Sequence, residues 1–187
     1  MNWFPKLPGW DGIHPAMVHF PIALLFAVPI LLLVSLFARK SWRAWSVASL
    51  VLMFIGTVAA WLAVASGHAA AQLVDKTPAL VRAIGGHESL AVTTRNLFTI
   101  MTLVFGGLMV LHTALKKPLP GALRTTIHAL FLVAYVGCTI MLANTANRGG
   151  RLVHETGVRA IVGPTVATSL PPAENQASGG RTDSQHQ

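Results

Sequence analysis

Between Pro15 and Ala38 the chain carries no Asp, Glu, Lys or Arg, and the run closes only at Arg39 and Lys40. A helix of about 20 apolar residues, rising about 1.5 Å each, crosses a hydrocarbon core of about 30 Å, so this run alone is long enough to span a bilayer. Segments 44–66, 90–115 and 122–146 have the same character, each bounded by charge, Gly or Pro. Lipid offers backbone amides and carbonyls no partner, and segments of this kind satisfy their own hydrogen bonds economically as helices. The expected fold is all-α, an integral membrane four-helix bundle.

Only 11% of the 187 residues are charged and 53% are apolar, whereas soluble domains carry about 25% charged residues. The net charge of +8 would point to nucleic acid in a soluble protein. Here the basic residues fall mainly between apolar runs, where they orient helices and meet anionic lipid head groups, so nucleic-acid binding is rejected. The single cysteine, Cys138, lies inside an apolar run. That leaves no disulfide framework and no Cys-based zinc or iron–sulfur site within one chain. Three regions are expected: an N-terminal outer arm over 1–13, the transmembrane domain over 14–160, and a C-terminal tail over 161–187. In the tail Pro, Ser, Gly, Asn and Gln replace apolar residues, and disorder is the expected state.

Helix ends carry recognisable signals. Pro15 suits the first helical position with His14 as a polar cap, and Pro21 should kink the first helix close to His19. Pro78 to Ile84 reads as a short amphipathic helix ended by Gly85 and Gly86. Gly56, Gly106, Gly107 and Gly137 fall within spans, where small residues let helices approach or leave room for a flat ligand. The loops containing Arg39, Lys40 and Arg43, and Lys116, Lys117 and Arg124, are short, basic and free of acids. Such loops stay in the cytoplasm, which puts both termini on the outer, periplasmic side of a bacterial inner membrane. Arg148, Arg151 and Arg159 run against that assignment. The first segment is too long for a removable signal and lacks a basic leader, so it is expected to be retained.

Under this topology His14, His19, His68, His87 and His154 collect at the outer face, and His112 and His128 sit near the inner one. Counting from the cytoplasmic charges gives about 30 Å to His19, about 37 Å to His14 and His68, and about 43 Å to His87. His87 is the highest, so joining it to His19 requires tilt, the Pro21 kink or an inward bend. His112 and His128 are better matched in depth, on helices joined by a tight hairpin. The plain account of these residues is interfacial hydrogen bonding to head groups, water and helix ends. The sharper account is haem or metal ligation, because imidazole is the commonest metal ligand and a bis-histidine haem takes one from each of two facing helices. Copper or zinc could use the same atoms. Against zinc, His14 and His19 stand about 140° apart on a helix, and the candidate carboxylates Asp75, Glu88 and Glu155 lie outside the hydrocarbon. Arg95, in the outer half of the third span, either snorkels to phosphates or pairs with an anion such as a haem propionate. Ser66, Ser89, Thr93 and Thr94 lie near histidines, but no Gly-x-Ser-x-Gly elbow accompanies them. The tryptophans read as an interfacial belt.

The motif His14-Pro15-x-x-Val18-His19-Phe20-Pro21-Ile22-Ala23-Leu24-Leu25 resembles the signature of the bacterial four-helix membrane family called domain of unknown function 2231. Ala65-Ser66-Gly67, His87 with Leu90-Ala91, and Gly149-Gly150-Arg151-Leu152-Val153 extend the likeness over roughly residues 10–158. The resemblance implies the fold and a cell-membrane location. Similar segments occur fused to c-type cytochrome domains, which by analogy turns the reading toward redox work at the outer face. His14, His19 and His87 carry over directly, whereas the family's later histidine corresponds to His154 displaced by two positions. The expected protein holds haem b near the outer face, with His19 and His87 as axial ligands to the iron. His14 and His154 are alternates or supporting donors, and Arg95 neutralises propionates. Electrons would pass between a quinone or a respiratory complex and an exported carrier such as a c-type cytochrome, with no catalysis required of the chain itself. Two alternatives stay open: a cofactor-free accessory subunit of a larger membrane complex, and a copper or zinc binding protein using the outer histidines. His68, His112 and His128 are further candidates, and a homo-oligomer is open.

Overall fold

The computed structural model describes residues 9–10, 12–74, 77–115 and 119–155. The helices are α1 (His14–Met17), α2 (His19–Phe37), α3 (Trp42–Gln72), α4 (Pro78–Ala114) and α5 (Gly121–His154), with no strand among the described residues. The chain α1–α2 acts as one span, so the bundle has four rods, each long and apolar enough to cross a membrane. α2 packs against α3 and α5, and α4 closes the ring against the same two helices. The connections after α2 and after α4 therefore share one end, the hairpin end. The start of α1, the α3–α4 connection and the finish of α5 share the other, the terminal end. Most of the expected N-terminal arm and the whole of the expected tail lie outside the described residues.

The bundle is apolar outside and partly polar inside, the reverse of a soluble protein. Phe37, Leu103 and Val133 are 79%, 70% and 71% exposed, while Ser46, Ser49, Ser66, Thr57, Thr94, Thr102 and Thr145 are buried. Hydroxyl pairs tie neighbouring rods, Thr57 to Thr102 at 2.9 Å and Thr94 to Thr145 at 2.7 Å, a bonding mode suited to helices that gain nothing by hiding Leu from lipid. Between them stands a column of aromatic rings, Phe98, Tyr135, Phe131 and Phe105, with successive centroids 5.3, 6.1 and 4.7 Å apart. Cys138 is buried and free.

Of the four glycines expected to let helices approach, Gly56 does so most tightly. A Cβ there would stand 2.7 Å from Leu25 Cδ2 of α2, whereas at Gly106 it would stand 3.7 Å from Leu50 Cδ1 and at Gly107 and Gly137 it would meet nothing within 4 Å. Proline explains two further features. Pro21 has no N–H for the carbonyl of Met17 and its ring crowds that carbonyl, and the helix breaks at Val18, between α1 and α2. Pro29 lies inside α2 and likewise frees the carbonyl of Leu25. The buried Tyr135 hydroxyl of α5 donates to that carbonyl at 3.4 Å, so a neighbouring helix supplies the donor that proline removed.

Three helices are longer than their apolar runs. α3 extends from 66 to Gln72, α4 begins at Pro78 rather than 90, and α5 continues from 146 to His154. These additions amount to about 9, 18 and 12 Å, and all three lie at the terminal end. The expected short helix ending at Gly85-Gly86 is instead the first part of α4, capped by Thr77 Oγ1 accepting from the Leu80 amide with Pro78 in the first turn. Glycine inside a helix costs about 1 kcal/mol relative to alanine, and α4 carries two of them without a break. Hydropathy reports where a helix meets lipid, not where it ends.

Candidate functional site

The helical extensions form a polar head on the terminal end of the bundle, and it gathers the histidines unevenly. His14, at the start of α1, does not cap its helix: Ile13 is the cap residue and makes no side-chain bond. Its ring reaches α3 instead, with Nδ1 3.0 Å from Ser66 Oγ and Cε1 2.9 Å from where a Cβ on Gly67 would stand. Ser66 spends its own proton on the Ala63 carbonyl at 3.0 Å. The His14 contact therefore requires the imidazole proton on Nδ1, which leaves the Nε2 lone pair free. Ser66 is held as a hydrogen-bond acceptor for His14, not as a nucleophile.

His87 repeats the arrangement from the other side. Its ring lies against Gly149 of α5, where a Cβ would stand 2.9 Å from Cε1. Its Nδ1 is buried and faces the Thr145 backbone without reaching hydrogen-bond geometry. His14 and His87 lie within electrostatic reach of each other, and the Arg148 guanidinium is close enough to act on His87. Arg148 Nη1 also borders Gly86, 3.9 Å from the position of a Cβ there. At the terminal end α1 and α4 thus each contribute an imidazole, one seated on a glycine of α3 and the other on a glycine of α5. The glycines are required because any side chain would fill the space that the rings occupy.

The remaining terminal-end candidates are arranged differently. His19 is exposed, and its Nδ1 donates to the Pro15 carbonyl one turn back at 2.7 Å. The break at Val18 separates it from the helix that carries His14. His68 pairs with Glu88 at 3.1 Å, both about half exposed. His154 is exposed at the end of α5, beside the Arg151–Glu155 pair at 2.9 Å. Arg95 donates twice to Asn96 Oδ1 and its guanidinium lies 3.8 Å from the Trp61 ring centroid. Arg148, not Arg95, is the cation beside His87. The family motifs held the signal for these partners, since Ser66, Gly67 and Gly149 belong to the short runs noted above and Arg148 directly precedes one of them.

A second pair stands at the hairpin end. His112 of α4 and His128 of α5 are both buried, with ring centroids 5.5 Å apart and planes at 74°. Trp42, the first residue of α3, touches both rings at 5.5 and 5.7 Å and lies beneath the guanidinium of Arg124 at 4.5 Å. No group of three or more His, Cys, Asp and Glu able to hold a metal ion occurs among the described residues, so both histidine clusters are two-imidazole arrangements.

The sequence profile of the family described as "Predicted membrane protein (DUF2231)" matches residues 11–161. No curated protein and no solved structure matches the chain. The matched stretch contains all four rods and both histidine pairs. The chain belongs to the DUF2231 family of predicted membrane proteins.

Proposed function

We propose that this protein is a small electron-transfer protein of the bacterial cytoplasmic membrane that holds haem b at the terminal end, between His14 and His87. The observation that carries this reading is the seating of an imidazole from α1 and another from α4 at the terminal end, each on a glycine of a further helix. The donor set suits haem iron: two imidazoles, no group of three or more His, Cys, Asp and Glu able to hold a metal ion among the described residues, and Nε2 of His14 left as a lone pair by its bond to Ser66. Ser66 orients the His14 ring, as outer partners of ligating histidines do. Arg148 is placed to offset carboxylate charge. When bound, the haem supplies one-electron transfer, and the chain sets ligand, burial and access.

This reading replaces His19 by His14 as the partner of His87, because His19 is exposed whereas the His14 ring reaches across to α3. The basic residues Arg39, Lys40, Arg43 and Arg124 gather at the hairpin end, which favours a cytoplasmic hairpin end and an outward terminal end. There a quinone or a membrane complex would exchange electrons with an exported c-type cytochrome. The test is a reduced-minus-oxidised visible spectrum of the detergent-purified chain expressed with haem supplementation. Soret and α bands are expected, and a spectrum without a Soret band removes the proposal.

A second reading, as a cofactor-free accessory subunit, draws on an apolar groove of about 590 Å³ between α3 and α4, lined by Leu50, Phe54, Leu103, Gly106 and Gly107. Small residues along such a groove admit a further helix. Co-purification with a fixed membrane partner, undisturbed by alanine at His14 and His87, would favour it over haem binding.

A further inference from the structure

Four buried side-chain polar atoms among the described residues have no hydrogen-bond partner: Ser46 Oγ, His87 Nδ1, His112 Nε2 and His128 Nε2. One belongs to the terminal-end site. The other three lie toward the hairpin end, with Ser46 one turn after Trp42 on α3. Buried polar groups are almost always satisfied, so this concentration asks for an occupant.

The chemistry of the two nitrogens narrows what that occupant is. Nδ1 of His112 lies 2.6 Å from the Leu108 carbonyl, and Nδ1 of His128 lies 3.0 Å from the Arg124 carbonyl. A carbonyl only accepts, so both Nδ1 atoms carry the proton and both Nε2 atoms are bare lone pairs. Two acceptors cannot bond each other. Each ring is also locked in place by a turn of its own helix, the outer-partner arrangement that orients ligating histidines. His112 is 8% and His128 4% exposed, so bulk water does not serve these lone pairs.

We propose that His112 and His128 form a binding site for a monovalent soft cation, Cu(I), distinct from the terminal-end site. Two imidazoles suit the low coordination number of Cu(I). Zinc and divalent copper ask for more ligands, and among the described residues no third His, Cys, Asp or Glu completes the set. Charge points the same way: among the described residues no carboxylate is bonded or paired at the site, and the Arg124 and Arg43 guanidiniums lie 4.5 and 5.4 Å from the Trp42 ring centroid, so a doubly charged ion is opposed more strongly than a singly charged one. Trp42 adds an aromatic ring against both imidazoles, and Met109, buried three residues before His112, places a soft thioether on the same stretch of α4. With Trp42 against both rings, a flat macrocycle between them would have to evict it.

The test is anaerobic titration of the detergent-purified full chain with Cu(I) against a chromophoric Cu(I) chelator. One equivalent is expected to bind, to survive His14→Ala/His87→Ala, and to weaken by more than the ~10–100-fold typical of lost outer partners when His128→Phe removes a ligand while keeping an aromatic ring. Equal Cu(I) affinity in His128→Phe, or no binding by the wild type, overturns the proposal and leaves a bridging water as the occupant. Copper X-ray absorption on the loaded wild type needs no variant. A first shell of two imidazole nitrogens, with or without one sulfur, is the expected result, and a shell containing carboxylate or water oxygens overturns it. A missing Soret band would remove the haem proposal without affecting this titration.

Discussion

The terminal and hairpin ends of this bundle both pair two histidines from different rods, yet they do so by different means. At the terminal end each imidazole leaves its own helix and lies on a glycine of another, His14 on Gly67 and His87 on Gly149. At the hairpin end each imidazole is fastened to its own helix, to the carbonyl four residues back, and the rings meet edge to face beneath Trp42. The first arrangement depends on the absence of side chains at two positions. The second depends on local hydrogen bonds that any helix provides. A site built on helix-to-helix seating should be sensitive to small changes in the scaffold, and a site built on local fastening should tolerate them.

The largest effect is expected where both ends share a support. Gly56→Leu would drive atoms into Leu25 at the α2–α3 contact, and overpacking of this kind costs about 1–3 kcal/mol. Unfolding in mixed detergent micelles should show the loss, and cofactor retention should fall at both ends together. Preserved stability would mean that α2 and α3 are not packed as described. Next come Gly67→Val and Gly149→Val, which separate the ends. Each pushes one imidazole off its seat, so haem retention should drop sharply while Cu(I) binding stays at the wild-type value. Parallel losses at both ends would show that the two sites are not independent.

A smaller effect probes the frame between the ends. Tyr135→Phe leaves the Leu25 carbonyl without a donor, for a loss of about 1 kcal/mol, with neither site altered. In a Pro29→Ala background an amide returns at position 29 and the same substitution should become nearly neutral. An equal cost in both backgrounds would refute the link between the proline and the tyrosine. The smallest effect is at the surface. A hydrogen bond from Arg151 holds the Glu155 carboxyl below the ordinary carboxylate range. The folded value is depressed, so the pair's contribution is present above the unfolded value and lost as pH falls through the folded one. Both groups are exposed, and Glu155→Gln should leave the melting temperature unchanged within error at neutral pH.

Much of this was legible in the sequence because the relevant physics is one-dimensional. Long apolar runs with few or no charges set the number of rods, and the basic residues set which connections lie together. The helix ends were less legible: Gly85-Gly86 reads as a stop by local propensity, but α4 starts upstream at the Thr77 cap and runs through it. The histidine pairing was half legible. The depth count puts His14 nearer to His87 than His19 by about 7 Å, a difference that favours the proposed pair. Neither spacing nor composition records that the break at Val18 leaves His19 exposed while His14 reaches Ser66. Gly67 and Gly149 were visible as motif glycines, yet only three-dimensional contact shows that each one seats a ring. At the hairpin end the shared depth of His112 and His128 was visible, whereas their facing rings and bare Nε2 atoms were not, because both depend on rotamers.

The most direct test of the central claim is the ratio of haem to chain, measured as pyridine haemochrome, in the wild type and in three single variants purified alike. Near one haem per chain is expected for the wild type and for His19→Ala, and near zero for His14→Ala and His87→Ala. A wild type without haem, or a loss that follows His19 rather than His14, would contradict the account.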